Sequence, residues 1–206
     1  RTTNASGLAT FNDLSINLTG SKILTASSTG LTSAVSNSFT ISSSGLLAHY
    51  SFDESMGTIA TDSSGNNRNG TITGATWTTG KIGGGLNFDG NDYVTIPRMN
   101  YDAISVSAWF NKNTSGTNVI FGGFRYNANV QLQEGFDLYF AGATPNRLRF
   151  AVVTRNASGT RTVKEATKDF TNSNGSWYHV VGTYNKATGE QKLYVDGQLV
   201  NTQTHP

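Results

Sequence analysis

No cysteine occurs in the chain. Disulfides and thiolate metal sites are therefore excluded. Charge is scarce as well: Asp, Glu, Lys and Arg make up 14% of the residues, and the formal net charge is only +2. So small a positive balance does not point to nucleic acid. No run of about 18 apolar residues occurs, so nothing reads as a membrane-spanning helix. No segment has the layout of a signal peptide. The Glu-, Lys-, Ala- and Leu-rich composition that sustains long surface helices is also missing, and no stretch is convincingly amphipathic at helical period.

What the chain does have is 206 residues, 11% aromatics and abundant Gly, Ser, Thr and Asn. That is enough length to bury a sizeable core and too many aromatics for a disordered chain. Alternation of apolar and polar residues, the period of a half-buried strand, recurs throughout. Ile104, Val106, Ala108 and Phe110 share one face, with Ser105, Ser107 and Trp109 on the other. Trp177–Tyr184 repeats the pattern, with Tyr178, Val180, Gly182 and Tyr184 on one side. Phe136–Phe140, Leu148–Val153 and Tyr93–Ile96 are further strands, and Leu46–Phe52 alternates in the same way. Asp196-Gly197 between two alternating runs is a hairpin signal, because a type I′ turn needs positive φ at both central residues. The triple glycine within Lys81–Gly85 marks close backbone approach or a bulge. Many short strands separated by turns indicate an all-β sandwich or barrel.

Two textures divide the chain. Residues 1–43 contain neither Trp nor Tyr and read as three or four short strands, at Ala9–Phe11, Leu14–Leu18, Ile23–Ala26 and Val35–Ile41. Thr19-Gly20 and Thr29-Gly30 read as turns between them. Ser42-Ser43-Ser44-Gly45 is a small-residue connector. Residues 44–206 form the second domain. The start at Arg1 instead of Met reads as an internal piece of a longer protein.

The segments LLAHYSFDESMGTIATDSSGNNRNGTITGATWTTGKIGGGLNFDGNDYVTIP, ISVSAWF and WYHVVGTYNKATGEQKLYVDGQLV, in that order and spacing, make residues 46–202 resemble the LamG-like, concanavalin A-like jelly-roll family. The resemblance implies an antiparallel jelly-roll β-sandwich, truncated at its C-terminus, since relatives end on further strands that include a Gly-x-Ile-Asp-Glu-Val-type segment. Residues 1–43, through GLATFNDLSINLTGSKILTASSTGLTSAVSNSFTIS, resemble the second half of a bacterial Ig-like repeat. Such repeats act as spacers in tandem arrays.

A retaining glycosidase needs two carboxylates about 5–5.5 Å apart. The four glutamates, Glu54, Glu134, Glu165 and Glu190, are far apart in sequence, and Glu134 and Asp137 differ in strand parity. An enzyme is therefore not expected. His49 and His179 read as satisfied strand histidines, and Trp77, Trp109 and Trp177 read as packing residues. Recognition falls to the connecting loops and exposed strand faces. There Phe124, Tyr126 and Tyr139 are candidate ligand contacts. Arg147, Arg149 and Arg155 share parity opposite Leu148, Phe150 and Val152, and Arg161, Lys164 and Lys168 follow after a turn. Such a surface suits an anionic glycan, with Arg147 and Arg149 as bidentate partners. Calcium takes about six to eight oxygens. Asp53, Asp62, Asn66, Asp89, Asn91 and Asp92 are possible donors in Gly- and Asn-rich turns, with Asp53 and Asp62 first and Asp92 third. LamG-like relatives often hold calcium, so the resemblance implies it as a cofactor.

These readings converge on a non-catalytic carbohydrate-binding or adhesion module of a secreted, multidomain bacterial surface protein, extracellular or cell-surface. Its expected partners are a glycan or cell-surface ligand and neighbouring domains of the parent chain, without nucleic acid or membrane insertion. The alternatives are a structural spacer and an accessory domain of a polysaccharide-degrading enzyme.

Overall fold

A computed structural model describes residues 20–27, 30, 32–41, 45–99, 102–113, 117–123, 135–141, 144–156, 158–171 and 175–206. Among the described residues there is no helix, and every strand pairing is antiparallel. The chain divides into two compact units. One comprises Arg1–Tyr50 and Asp62–Asn67, the other Ser51–Thr61 and Arg68–Pro206.

The first unit contains β1 (Gly20–Lys22), β2 (Thr25–Ala26), β3 (Ala34–Val35) and β4 (Phe39–Ile41), with β1 paired to β4 and β2 to β3. Gly20, expected in a turn, instead opens β1 opposite Ile41. Ladder bonds to β4 outweigh the turn preference of one glycine. The expected strand over Val35–Ile41 is split. Ser36 Oγ accepts the Leu24 N–H at 2.9 Å and donates to the Asn37 carbonyl at 2.8 Å, so side chain–backbone bonds displace the ladder there. The strands expected at Ala9–Phe11 and Leu14–Leu18 lie outside the described residues.

Leu46–Phe52 alternates like a strand but is not one. Its backbone is satisfied by a turn. Asn66 Nδ2 donates to the carbonyls of Leu46 and Leu47, at 2.9 and 3.2 Å. Asp62 Oδ1 accepts the His49 N–H at 3.0 Å, and the Ser63 N–H bonds the His49 carbonyl at 2.9 Å. Phe52, at φ 57°, leaves the extended region altogether.

The second unit starts with β5 (Ile59–Ala60), β6 (Gly70–Thr73), the hairpin β7 (Thr76–Thr79) and β8 (Gly84–Asn87), and β9 (Tyr93–Thr95). β6 lies between β5 and β9. The sandwich itself follows. β10 (Ala103–Asn111) is separated in sequence from its sheet partners by β11 (Asn118–Gly122), β12 (Gly135–Ala141), β13 (Thr144–Arg155) and β14 (Arg161–Asp169), which form a sheet of their own in chain order. β15 (Trp177–Asn185), β16 (Glu190–Val195) and β17 (Gln198–Thr204) then complete the sheet β10-β15-β16-β17. The chain thus crosses between the sheets twice, as in a jelly-roll sandwich.

The alternation read from the sequence is realised where these sheets meet. Leu138, Phe140, Leu148 and Phe150 are fully buried from one sheet, Val180 and Leu193 from the other. Full burial of each such side chain contributes about 1.5–3 kcal/mol. Phe110, Phe140, Phe170 and Tyr178 form an aromatic cluster, with the Phe170 and Tyr178 rings edge-on at 4.7 Å. The Asp196-Gly197 hairpin forms as expected, with φ of 49° and 77°.

Candidate functional site

Cross-strand partners in an antiparallel ladder lie on the same face. Leu148, Phe150 and Val152 point into the core, so their neighbours Arg147, Arg149 and Arg155 face outward. Arg147 is paired with Asp169, Arg149 with Thr167, and Arg155 with Arg161. Tyr139, opposite Arg149 on β12, joins the same outer face. The structure therefore brings Tyr139, Arg147 and Arg149 together. Lys164 and Lys168, in contrast, are in register with the inward-facing Val152 and Leu148. They belong to the opposite face, and the expected two-stranded basic surface loses them. Phe124 and Tyr126 lie outside the described residues.

The outward arginines carry partners that the sequence did not reveal. Arg147 makes a bidentate pair with Asp169, through Nε at 2.6 Å and Nη2 at 2.7 Å. That pairing lowers the Asp169 pKa and raises that of Arg147. Arg149 pairs with Glu165 through Nη1 and donates from Nη2 to Thr144 Oγ1 at 3.0 Å. Its Nε is buried and has no hydrogen-bond partner among the described residues. Tyr139 Oη donates to the other Glu165 oxygen at 3.0 Å. Burial, then the hydrogen bond to Glu165, push the Tyr139 phenol up to about 12. Arg149 and Glu165 are 20% and 30% exposed, against 41% and 64% for Arg147 and Asp169. The inner pair is thus the more sheltered and the better held.

The candidate metal ligands are each engaged with backbone. Asp53 Oδ1 accepts the Gly84 N–H at 2.6 Å. Asp62, nearly buried, accepts from His49 and from Ser64, the latter at 2.9 Å. Asp92 Oδ2 accepts the Asp89 N–H at 2.9 Å. Among the described residues no three His, Cys, Asp or Glu side chains converge as a metal-holding group.

Asp53 also explains the triple glycine. A Cβ on Gly84 would lie 2.1 Å from the Phe52 carbonyl oxygen, and one on Gly83 would lie 2.3 Å from Asp53 Oδ1. Only glycine lets the hairpin turn approach this closely. An open cleft of about 400 Å³ lies there, lined by Phe52, Asp53, Ser55, Trp77, Thr78 and Thr79. Phe52 and Ser55 both occupy the left-handed region, at φ 57° and 61°. Each such residue costs about 1–3 kcal/mol. Trp77 Nε1 donates to the Gly57 carbonyl at 2.9 Å, which pins the indole across the loop.

Trp109, read from sequence as a packing residue, is 41% exposed on the outer face of the other sheet. Its ring lies 5.1 Å from that of His179, and Lys81 Nζ stands 5.7 Å over it. His179 Nε2 is 2.8 Å from Ser107 Oγ, and its backbone N–H is capped by Asp196 at 2.9 Å. His179 is satisfied as expected, but on the outer face.

Sequence reasoning passed over His205, which is only 5% exposed. Gln191, fully buried, donates from Nε2 to the Phe150 carbonyl at 2.6 Å. Its Oε1 therefore accepts from His205 Nε2, at 2.7 Å, and Nδ1 accepts from Thr154 Oγ1 at 3.2 Å. Burial, then the nearby charge of Lys164, hold the imidazole below its ordinary range. A lone histidine beside the final proline carried no local signal of this.

Residues 88–206, more than half of the chain, match the family model described as the concanavalin A-like lectin/glucanases superfamily. No curated protein matches the chain.

Proposed function

Because the chain belongs to the concanavalin A-like lectin/glucanases superfamily, we propose that it is a non-catalytic carbohydrate-binding module, using the outer face of β12–β14, within a secreted or cell-surface multidomain protein. The observation that carries this reading is the half-buried Tyr139–Glu165–Arg149 cluster, with the Arg147–Asp169 pair beside it. Sugar hydroxyls both donate and accept. The cluster offers guanidinium donors and carboxylate acceptors held in one geometry, which lowers the ordering cost of binding.

Two features favour binding over hydrolysis. Glu165 spends one oxygen on Arg149 and the other on Tyr139, so neither is free to approach a glycosidic oxygen. Asp137 spends an oxygen on the Gly123 N–H at 3.1 Å. The arginine charges are also matched by Glu165 and Asp169, so the face favours a hydroxyl-rich glycan over a densely sulfated one. Calcium at Asp53, Asp62 or Asp92 remains part of the proposal, as support for the loops and not as a reactant.

The test is a glycan array followed by calorimetry, with and without calcium. Arg149→Ala is expected to weaken binding of the best neutral glycan about tenfold, roughly 1.4 kcal/mol. Affinity should change little between about 0.05 and 0.5 M salt. Unchanged affinity in an Arg147→Ala/Arg149→Ala protein would remove this face from recognition. Release of new reducing ends from the bound glycan would replace the module with an enzyme.

A further inference from the structure

In an antiparallel ladder, alternate residues turn their N–H and C=O towards one neighbouring strand and the rest towards the other. β10 is an end strand of its sheet, with β15 on one side. The Lys186 N–H bonds the Asp102 carbonyl at 2.7 Å, one step beyond the Ala103–Asn185 pair. The even-numbered residues of β10 therefore bond to β15. Ala103, Ser105, Ser107, Trp109 and Asn111 turn their backbone groups the other way. Among the described residues no strand runs along that side, and none of these five has a backbone partner there. The first four are exposed.

An open edge of this kind is a template for pairing, which proteins blunt with charge, proline, bulges or cover. The other three end strands of the two four-stranded sheets are blunted in these ways. β11 has only five residues and carries a register shift between Val119 and Phe121. β14 carries Arg161, Lys164, Glu165, Lys168 and Asp169 and lies against β17, where Asn201 Nδ2 donates to the Thr167 carbonyl at 3.2 Å. β10 has nine residues with no charge, no proline and no glycine.

We propose that β10 pairs antiparallel with β10 of a second copy of this chain, about a two-fold axis at Ser107, so that two four-stranded sheets become one. In that register the strand complements itself. Trp109 falls opposite Ser105 of the other copy, a large side chain beside a small one. Ile104 falls opposite Phe110 and Val106 opposite Ala108, so apolar residues meet apolar ones on the inner side. The residues that bracket the strand, Asp102 and Lys112, fall opposite each other and are of opposite sign. An unrelated peptide would have to supply these matches, whereas β10 supplies them to itself. The pairing is closed, because each copy uses its one open β10 edge.

The experiment is sedimentation velocity of the whole chain from about 1 to 500 μM, with hydrogen exchange on the same samples. Monomer and dimer alone are expected, with a dissociation constant on the order of 10–100 μM, as suits a small interface. Exchange should slow with concentration at the amides of Ser105, Ser107 and Trp109 and stay unchanged at Val106 and Ala108, which already bond to β15. Ser107→Lys sets two ammonium groups opposite each other and Ser107→Glu two carboxylates, so each protein alone should be monomeric. Mixed in equal amounts they should form a heterodimer at least as tight as the natural pair. If either variant fails to fold, sedimentation and exchange of the unsubstituted chain decide the question. A chain that stays monomeric at the highest concentration overturns the proposal. Growth beyond the dimer overturns it too, as does protection confined to β11, β17 or the first unit. A mixture of the two folded Ser107 variants that stays monomeric would also overturn it.

Discussion

The ring of Phe150 lies against the backbone of Gly182 so closely that a Cβ on Gly182 would stand 2.7 Å from Cδ2. Phe150 comes from β13 and Gly182 from β15, so this contact joins the two sheets. Gly182→Ala is expected to destabilise the fold by about 1–3 kcal/mol through overpacking. Phe150→Ala alone should cost about 3–5 kcal/mol. The double variant should cost less than the sum, because the small side chain at 150 removes the clash. Urea unfolding of all four proteins measures this, and strict additivity would mean that the two residues do not touch.

Acid should weaken the sandwich through His205. Its folded pKa is lowered, by burial first and by Lys164 second, so the unfolded chain takes up the proton more readily. Stability is full above the unfolded value of about 6.5 and declines as pH falls from there towards the folded pKa. His205→Gln keeps polar contacts without titrating and should flatten that part of the profile. Thermal melts from pH 8 to 5, read as a difference between the two proteins, are the measurement.

Alkali should act through Tyr139. The phenol is pushed up to about 12 by burial and by Glu165. Its contribution is complete below the unfolded value of about 10 and is lost as pH rises towards about 12. Ultraviolet titration of the phenolate should find a late-ionising step that is absent from Tyr139→Phe. In Glu165→Gln that step should move to lower pH; an unmoved step would exclude Glu165 as a cause.

The two outer-face arginines should differ in weight. Arg149→Ala leaves the half-buried Glu165 with one partner in place of two and is expected to cost about 1–2 kcal/mol. Arg147 and Asp169 are exposed, and exposed pairs are screened and entropically costly to order, so Arg147→Ala should change stability less. Chemical denaturation decides the order, and a larger loss at Arg147 would contradict it.

Much of the sandwich was legible because a strand's facing is a local property. Parity alone placed Ile104 and Val106 in the core and set Arg147 and Arg149 opposite Leu148 and Phe150, and the Asp-Gly pair marked the Asp196-Gly197 turn by its tolerance of positive φ. Parity failed at Leu46–Phe52, where the alternation is real but Asn66 and Asp62 satisfy the backbone in place of a neighbouring strand. It held for Trp109, which alternation placed on the outer face, while the reading of that residue as a packing residue did not.

The candidate sites were legible only in part, and the reason is sequence separation. The composition and alternation of this chain determined an all-β sandwich without disulfides, with Tyr139, Arg147 and Arg149 available for an outer face. What those residues do there was decided by partners that only the tertiary fold supplies. Glu165 reaches Arg149 across 16 positions, Asp53 reaches Gly84 across 31, and Gln191 bonds the Phe150 carbonyl across 41. A charge in a sequence has a sign; whether it stays open to a ligand or is matched at hydrogen-bond distance depends on which strands become neighbours. That choice follows from burying one continuous core between two sheets, a sum over the whole chain that no local pattern contains.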